Sequence, residues 1–80
     1  MVFYDFLLNK YVLMDAKKIG KKIKLARIEQ EMTQGDLAKA IDSLQNSISR
    51  YETGAAFPTL ETLEKLCRTL KKPFGYFLDE

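Results

Sequence analysis

Residues 33–54 read TQGDLAKAIDSLQNSISRYETG, and they hold two short helical patterns too close together to be anything but packed neighbours. Thr33 offers a hydroxyl that caps a helix start. Asp36 answers it as a weak form of the capping box, where Glu or Gln is the usual partner. A helix from about Gln34 to Ile41 is predicted, with Leu37, Ala38 and Ile41 on one face; Ala38 is small enough to let a second helix cross closely. Asp42 and Ser43 interrupt the pattern, because both favour turns and Asp tolerates a left-handed backbone. The second helix places Leu44, Ile48 and Tyr51 at i, i+4 and i+7, one apolar stripe, and it ends at Gly54, where a residue without a Cβ is favoured.

Two short helices joined by so tight a turn form a helix-turn-helix. The face of the second helix away from the stripe carries Gln45, Asn46, Ser49 and Arg50, the side chains a base-reading helix presents. A Gln or Asn carboxamide pairs with N6 and N7 of adenine and an Arg guanidinium with O6 and N7 of guanine, each worth about 1–3 kcal/mol of discrimination.

With 80 residues, 46% of them apolar and 30% charged, the chain can build one helical core without staples. The single cysteine, Cys67, falls in the apolar phase of a helix beside Leu63, Leu66 and Leu70, which makes it a structural thiol and gives no sign of an oxidising compartment. With no histidine and no second cysteine, a soft-metal site is excluded. No glycine-rich phosphate loop and no nucleophile with a base can be assembled, so neither an enzyme nor a cofactor is expected. The net charge of +2 is unevenly spread. Residues 15–30 carry Lys17, Lys18, Lys21, Lys22, Lys24 and Arg27 against Asp15 and Glu29, whereas residues 31–58 carry Lys39 and Arg50 against Glu31, Asp36, Asp42 and Glu52. Such a basic cluster fits a polyanionic partner and, on charge alone, equally fits a solvated helix face.

Residues 1–14, MVFYDFLLNKYVLM, form an apolar, aromatic-rich extension expected as a helix or an arm. It is shorter than the roughly 20 residues that cross a bilayer and lacks the basic start of a signal peptide, so a cytoplasmic chain with no membrane partner is expected. The domain proper is expected over 15–80. Its first helix runs from a cap at Asp15 to about Gln30, with Ile19, Ile23 and Ala26 facing the motif. Leu25 and Ile28 form a second apolar stripe, for which the expected cover is the N-terminal segment, through residues such as Phe3 and Phe6, from the same chain or a partner subunit. Pro58 and Thr59 announce a helix over Leu60 to Leu70 that buries Leu60, Leu63, Leu66, Cys67 and Leu70. Pro73 stops it, and Phe74, Tyr76, Phe77 and Leu78 make a last short helix in which Phe74 is expected to close the core.

From Ile19 to Leu78 the chain resembles the DNA-binding domain of the phage repressor and Cro family, also called the XRE family. The carrying residues are IGKKIKLAR, TQGDLA, NSISRYETG, PTLETLEKLCRTL and PFGYFL, in that order and spacing. The resemblance implies an all-α, five-helix repressor-like helix-turn-helix domain, to which the apolar N-terminal segment is an addition. It implies base reading by Gln45, Asn46 and Arg50, with Ser49 on the same face, and a Gln34 that holds a phosphate while bracing the recognition helix. Thr33, Lys22 and Ser47 are the further phosphate candidates. It pairs Arg27 with Glu52 as a partly buried ion pair and offers Tyr76 and Leu78 for a two-fold dimer contact.

The chain departs from the family pattern at Asp42, where Gly is usual, and at Ser43-Leu44, where an apolar residue followed by Ser or Thr is usual. The exchange reads as Ser43 taking over the cap while Leu44 fills the core slot, which starts the recognition helix one residue early. The loop Ala55-Ala56-Phe57 lacks the Lys or Arg that relatives often set against the DNA backbone, which predicts a shallow salt dependence. The expected function is a sequence-specific, double-stranded DNA-binding transcriptional regulator, a repressor acting as a homodimer on a palindromic operator. The alternative is an antitoxin-like or protein-interaction module that engages a protein partner through the apolar N-terminal segment.

Overall fold

Residues 15–78 are described by the computed structural model, and they fold into five α-helices: α1 Ala16–Glu29, α2 Gln34–Ala40, α3 Gln45–Thr53, α4 Leu60–Leu70 and α5 Phe74–Leu78. The extension over residues 1–14, with its contact candidates Phe3 and Phe6, lies outside the described residues. No strand occurs among the described residues, and no helix there is long and apolar enough to cross a membrane.

The turns follow from local chemistry. At the head of α2 both halves of the capping box are made: the Asp36 N–H donates to Thr33 Oγ1 at 3.0 Å, and the Thr33 N–H donates to Asp36 Oδ2 at 2.9 Å. That backbone donor holds the Asp36 carboxyl below its ordinary range. Asp42 takes the left-handed backbone its side chain tolerates, with φ 56°, and Gly54 ends α3 with φ 82°. Glu31 does for α1 what glycine usually does: at φ 56° it lets the Met32 N–H reach back to the Arg27 carbonyl at 3.2 Å and closes the helix end. Thr59 caps α4 through the Thr62 N–H at 3.1 Å.

The buried core draws on every helix: Ile19, Ile23 and Ala26 from α1, Leu37 and Ala38 from α2 with Ile41 at its end, Ile48 from α3, Leu63, Leu66 and Leu70 from α4, and Phe77 from α5. Met32, Tyr51, Cys67, Tyr76 and Leu78 pack half-buried around it. Burial raises the Cys67 thiol above its ordinary value, so it holds less thiolate than a free cysteine. A close crossing occurs at Gly20, in the second turn of α1. A Cβ there would stand 2.6 Å from the Glu52 carbonyl oxygen and closer still to that of Tyr51, so the backbone of the last turn of α3 lies directly on α1.

Five expectations are corrected. Leu44 does not fill a core slot but is 72% exposed. Ser43 is not the cap either: its N–H turns back to the Ala38 carbonyl at 2.7 Å to close the turn, and α3 begins at Gln45 with Leu44 in the cap position and no side-chain cap bond. Asp15 likewise precedes α1 without a side-chain cap bond. Leu60, at 70% exposure, and Phe74, at 37%, stay outside the core, because Leu63, Leu66 and Leu70 already supply the buried stripe of α4 and Phe77 fills the space under α5. With Phe57 and Pro58, Leu60 and Phe74 instead line a surface cleft of about 290 Å³. Leu25 and Ile28 are exposed, at 56% and 53%.

Candidate nucleic-acid interface

Glu52 sits in the last turn of α3 with only 3% of its side chain exposed. A carboxylate so placed is costly unless its oxygens are bonded, and three donors reach it. Arg27 Nε donates to Oε2 at 2.6 Å, Arg27 Nη2 donates to Oε1 at 3.1 Å, and Gln34 Nε2 donates to Oε1 at 3.0 Å. The remaining arm of Arg27, Nη1, donates to the Met32 carbonyl at 2.8 Å. Donating to the Glu52 carboxylate raises the Arg27 guanidinium further above its already high value. One carboxylate on α3 thus ties together α1, the α1–α2 turn and the first residue of α2. A fork-to-fork pair fixes angle as well as distance, so α1 and α2 together hold α3 in one orientation.

That orientation is set by Ile48, which is fully buried, and by Tyr51, which packs half-buried on the core. The opposite face of α3 points outward: Gln45, Asn46 and Arg50 are exposed, and Ser47 and Ser49 are half-buried. The head of α2 and the head of α3 meet at Gly35, where a Cβ would lie 3.5 Å from Gln45 Oε1 and 3.7 Å from Thr33 Oγ1. Thr33, Gln34 and Gln45 therefore share one end of the motif. Arg50 lies more than a turn further along α3. Past its C-terminus Gly54 lies against Lys17, whose Cα would be 3.0 Å from a Cβ built there.

Lys22 is the candidate that the structure does not bring to this group. It stands two residues, about 200° of helix, beyond the Gly20 that touches α3, and its ammonium sits 5.5 Å over the Tyr76 ring of α5. Lys72 lies 4.7 Å over the same ring while bonding Glu29 at 3.0 Å. Tyr76 and Leu78 pack half-buried on their own core. One residue at this site, Gly20, escaped the sequence reading, and another, Leu44, was misassigned by it. Gly20 carried a signal, since an isolated glycine inside a helical pattern marks close backbone approach. Leu44 carried one too: an apolar residue at a cap position has no oxygen to cap with.

A sequence profile described as helix-turn-helix matches residues 23–77. Multiprotein-bridging factor 1 of Debaryomyces hansenii is 46% identical over 52 residues, which span 65% of this chain and 35% of that protein. The cryptic phage CTXphi transcriptional repressor RstR of Vibrio cholerae is 32% identical over 61 residues, 76% of this chain and 55% of the relative. Among solved structures, Bacillus thuringiensis PlcR, crystallised in complex with the peptide PapR7 and DNA, superposes with a TM-score of 0.71 at 33% identity, covering 76% of this chain and 21% of that one. The chain thus spans between about a third and a little over half the length of these two curated relatives. Matched over more than half its length by the family profile and aligned with a phage repressor, the chain belongs to the phage repressor and Cro (XRE-type) family of helix-turn-helix DNA-binding domains.

Proposed function

We propose that this protein is a sequence-specific regulator of transcription that binds double-stranded DNA as a homodimer on a palindromic operator and acts as a repressor. The observation that carries the proposal is the outward amide and guanidinium face of α3, held by the buried Glu52 clamp behind it. Gln45 and Asn46 pair with adenine and Arg50 with guanine, while Ser49 approaches either. Gln34, Thr33 and Ser47 position the domain on phosphates. The Thr33 hydroxyl oxygen accepts from Asp36, which leaves its O–H to donate outward. Tyr51, Ile48 and the Arg27–Glu52 pair touch no base; they keep the reading face rigid.

One such domain covers only a few base pairs, so useful specificity needs two copies on half-sites about 10 base pairs apart or a multiple of that spacing. Selection of bound duplexes from a random library, followed by gel-shift titration and sedimentation of the complex, tests this directly. Enrichment of a two-fold symmetric sequence bound by two chains is expected; equal binding to every duplex removes the proposal.

The second reading, a protein-interaction or antitoxin-like module, is favoured by the exposed Leu25 and Ile28 and by the cleft of Phe57, Leu60 and Phe74. A relative named as a multiprotein-bridging factor is in keeping with it. Copurification from the native source without added DNA separates the two: a stoichiometric protein partner that survives nuclease treatment favours the second.

A further inference from the structure

Leu44 is the one large apolar side chain at the head of the otherwise polar reading face, 72% exposed and next in sequence to the exposed Gln45 and Asn46. It brings two local penalties. Its isobutyl group sits in water, and it occupies the cap position of α3, where a serine, threonine or aspartate oxygen would satisfy a backbone N–H and where none does. Nothing inside the described domain offsets either penalty, because the buried residues of α3 are Ile48 and Glu52, while Leu44 stays outside the core. The place where such a side chain gains is the surface that the face is built to meet. In the major groove the donors and acceptors of the bases are matched by Gln45, Asn46 and Arg50. The remaining feature of a base edge there is apolar, the C5-methyl group that a pyrimidine carries beside them.

We infer that Leu44 reads the C5-methyl group of a pyrimidine, at a base pair neighbouring the one read by Gln45 or Asn46. The inference rests on the proposed DNA-reading role of α3. The methyl belongs to thymine or to 5-methylcytosine, which present the same group at the same place. Leu44 thereby sets specificity at one position without forming a hydrogen bond, and its exposure in the free domain is the unoccupied half of that contact.

The test begins with duplexes enriched by the wild-type chain from a random library. Each thymine of the enriched site is replaced in turn by deoxyuridine, which deletes only the methyl group, and each cytosine by 5-methylcytosine, which adds it. Binding is titrated for the wild type, Leu44→Ala and Leu44→Ser; the serine supplies the missing cap, so this variant keeps its fold, which circular dichroism checks. One position in each half-site is expected to respond to the methyl group by about three- to fivefold with the wild type, the factor that burying one methyl is worth. The response is expected to vanish with Leu44→Ser and Leu44→Ala, while the choices made by Gln45, Asn46 and Arg50 persist. A response to uracil identifies thymine as the source; a response only to added cytosine methyls identifies 5-methylcytosine. A flat scan, or a scan that Leu44→Ser leaves unchanged, overturns the inference while sequence selection stands. A library from which nothing is enriched overturns the DNA reading, and the inference with it.

Discussion

Arg27→Met removes two of the three donors to Glu52 and the partner of the Met32 carbonyl in a single substitution of similar volume. What is left is a carboxylate with 3% of its side chain exposed and only Gln34 Nε2 to satisfy it. Breaking a buried pair in this way costs about 3–5 kcal/mol. For a domain of this size, with about 5–15 kcal/mol of total stability, that is a large share. At about 4–8 °C per kcal/mol the melting temperature falls by roughly 12–40 °C. Urea unfolding followed by circular dichroism at pH 7 measures the loss. A double-mutant cycle with Glu52→Leu isolates its cause: the double variant, having lost both charges, is expected to be about 2 kcal/mol more stable than Arg27→Met alone. Its remaining deficit is the unpaired Met32 carbonyl and Gln34 amide. Arg27→Met within about 1 kcal/mol of wild type, or a double variant whose loss equals the sum of the two singles, would refute the account of Glu52 as a buried charge held by Arg27.

Gly20→Ala forces a Cβ to within 2.6 Å of the Glu52 carbonyl oxygen and is expected to cost about 1–3 kcal/mol and to weaken DNA binding, since α3 must move. Gly75→Ala, where nothing lies within 4 Å of the new atom, is the control, and equal melting of the two variants contradicts the close crossing. Thr33→Ala is expected to lose about 1 kcal/mol with its cap. Because the folded state holds Asp36 below its ordinary value, the capping-box contribution is present above about pH 4 and is lost as pH falls through the lowered value. Urea unfolding between pH 5 and 2 checks this, and an Asp36→Asn profile parallel to wild type there refutes it. Binding to a selected site is expected to fall with salt at a log–log slope of only about −2 per domain, since the phosphate contacts Thr33, Gln34 and Ser47 are uncharged and the loop Ala55-Ala56-Phe57 adds no cation; a slope beyond about −5 contradicts that assignment. Deleting residues 1–13 is expected to change oligomer size or melting temperature; no change in either removes the proposed role of that segment as the cover of Leu25 and Ile28.

What the sequence declared best were features with strong local causes. Thr33 and Asp36 form their capping box, Asp42 and Gly54 take left-handed backbones, and Leu37, Ala38, Ile41 and Ile48 are buried, because capping, turn geometry and helical periodicity act within a few residues. The errors arose where a helix face had to be assigned at its edge. Leu44 caps one helix and Leu60 opens another, at ends where periodicity allows a buried phase yet both side chains stay exposed. Phe74 lost the core to Phe77 because a five-residue helix buries only one side. Lys22 was one of a basic cluster on α1, and only the rotation about that helix shows that it faces Tyr76. Gly20 was legible in principle, as an isolated glycine, yet the atom it makes room for lies on another helix.

The central claim is that the outward face of α3 reads bases while its inner face only holds it in place. Sequence selection with wild type and with Arg50→Ala measures this most directly. Arg50 is exposed, so its removal should leave stability within about 0.5 kcal/mol of wild type, and the variant is expected to enrich the same operator with the guanine preference lost at one position in each half-site. Identical preferences from the two proteins, or a uniform loss of affinity with no position relaxed, would contradict it.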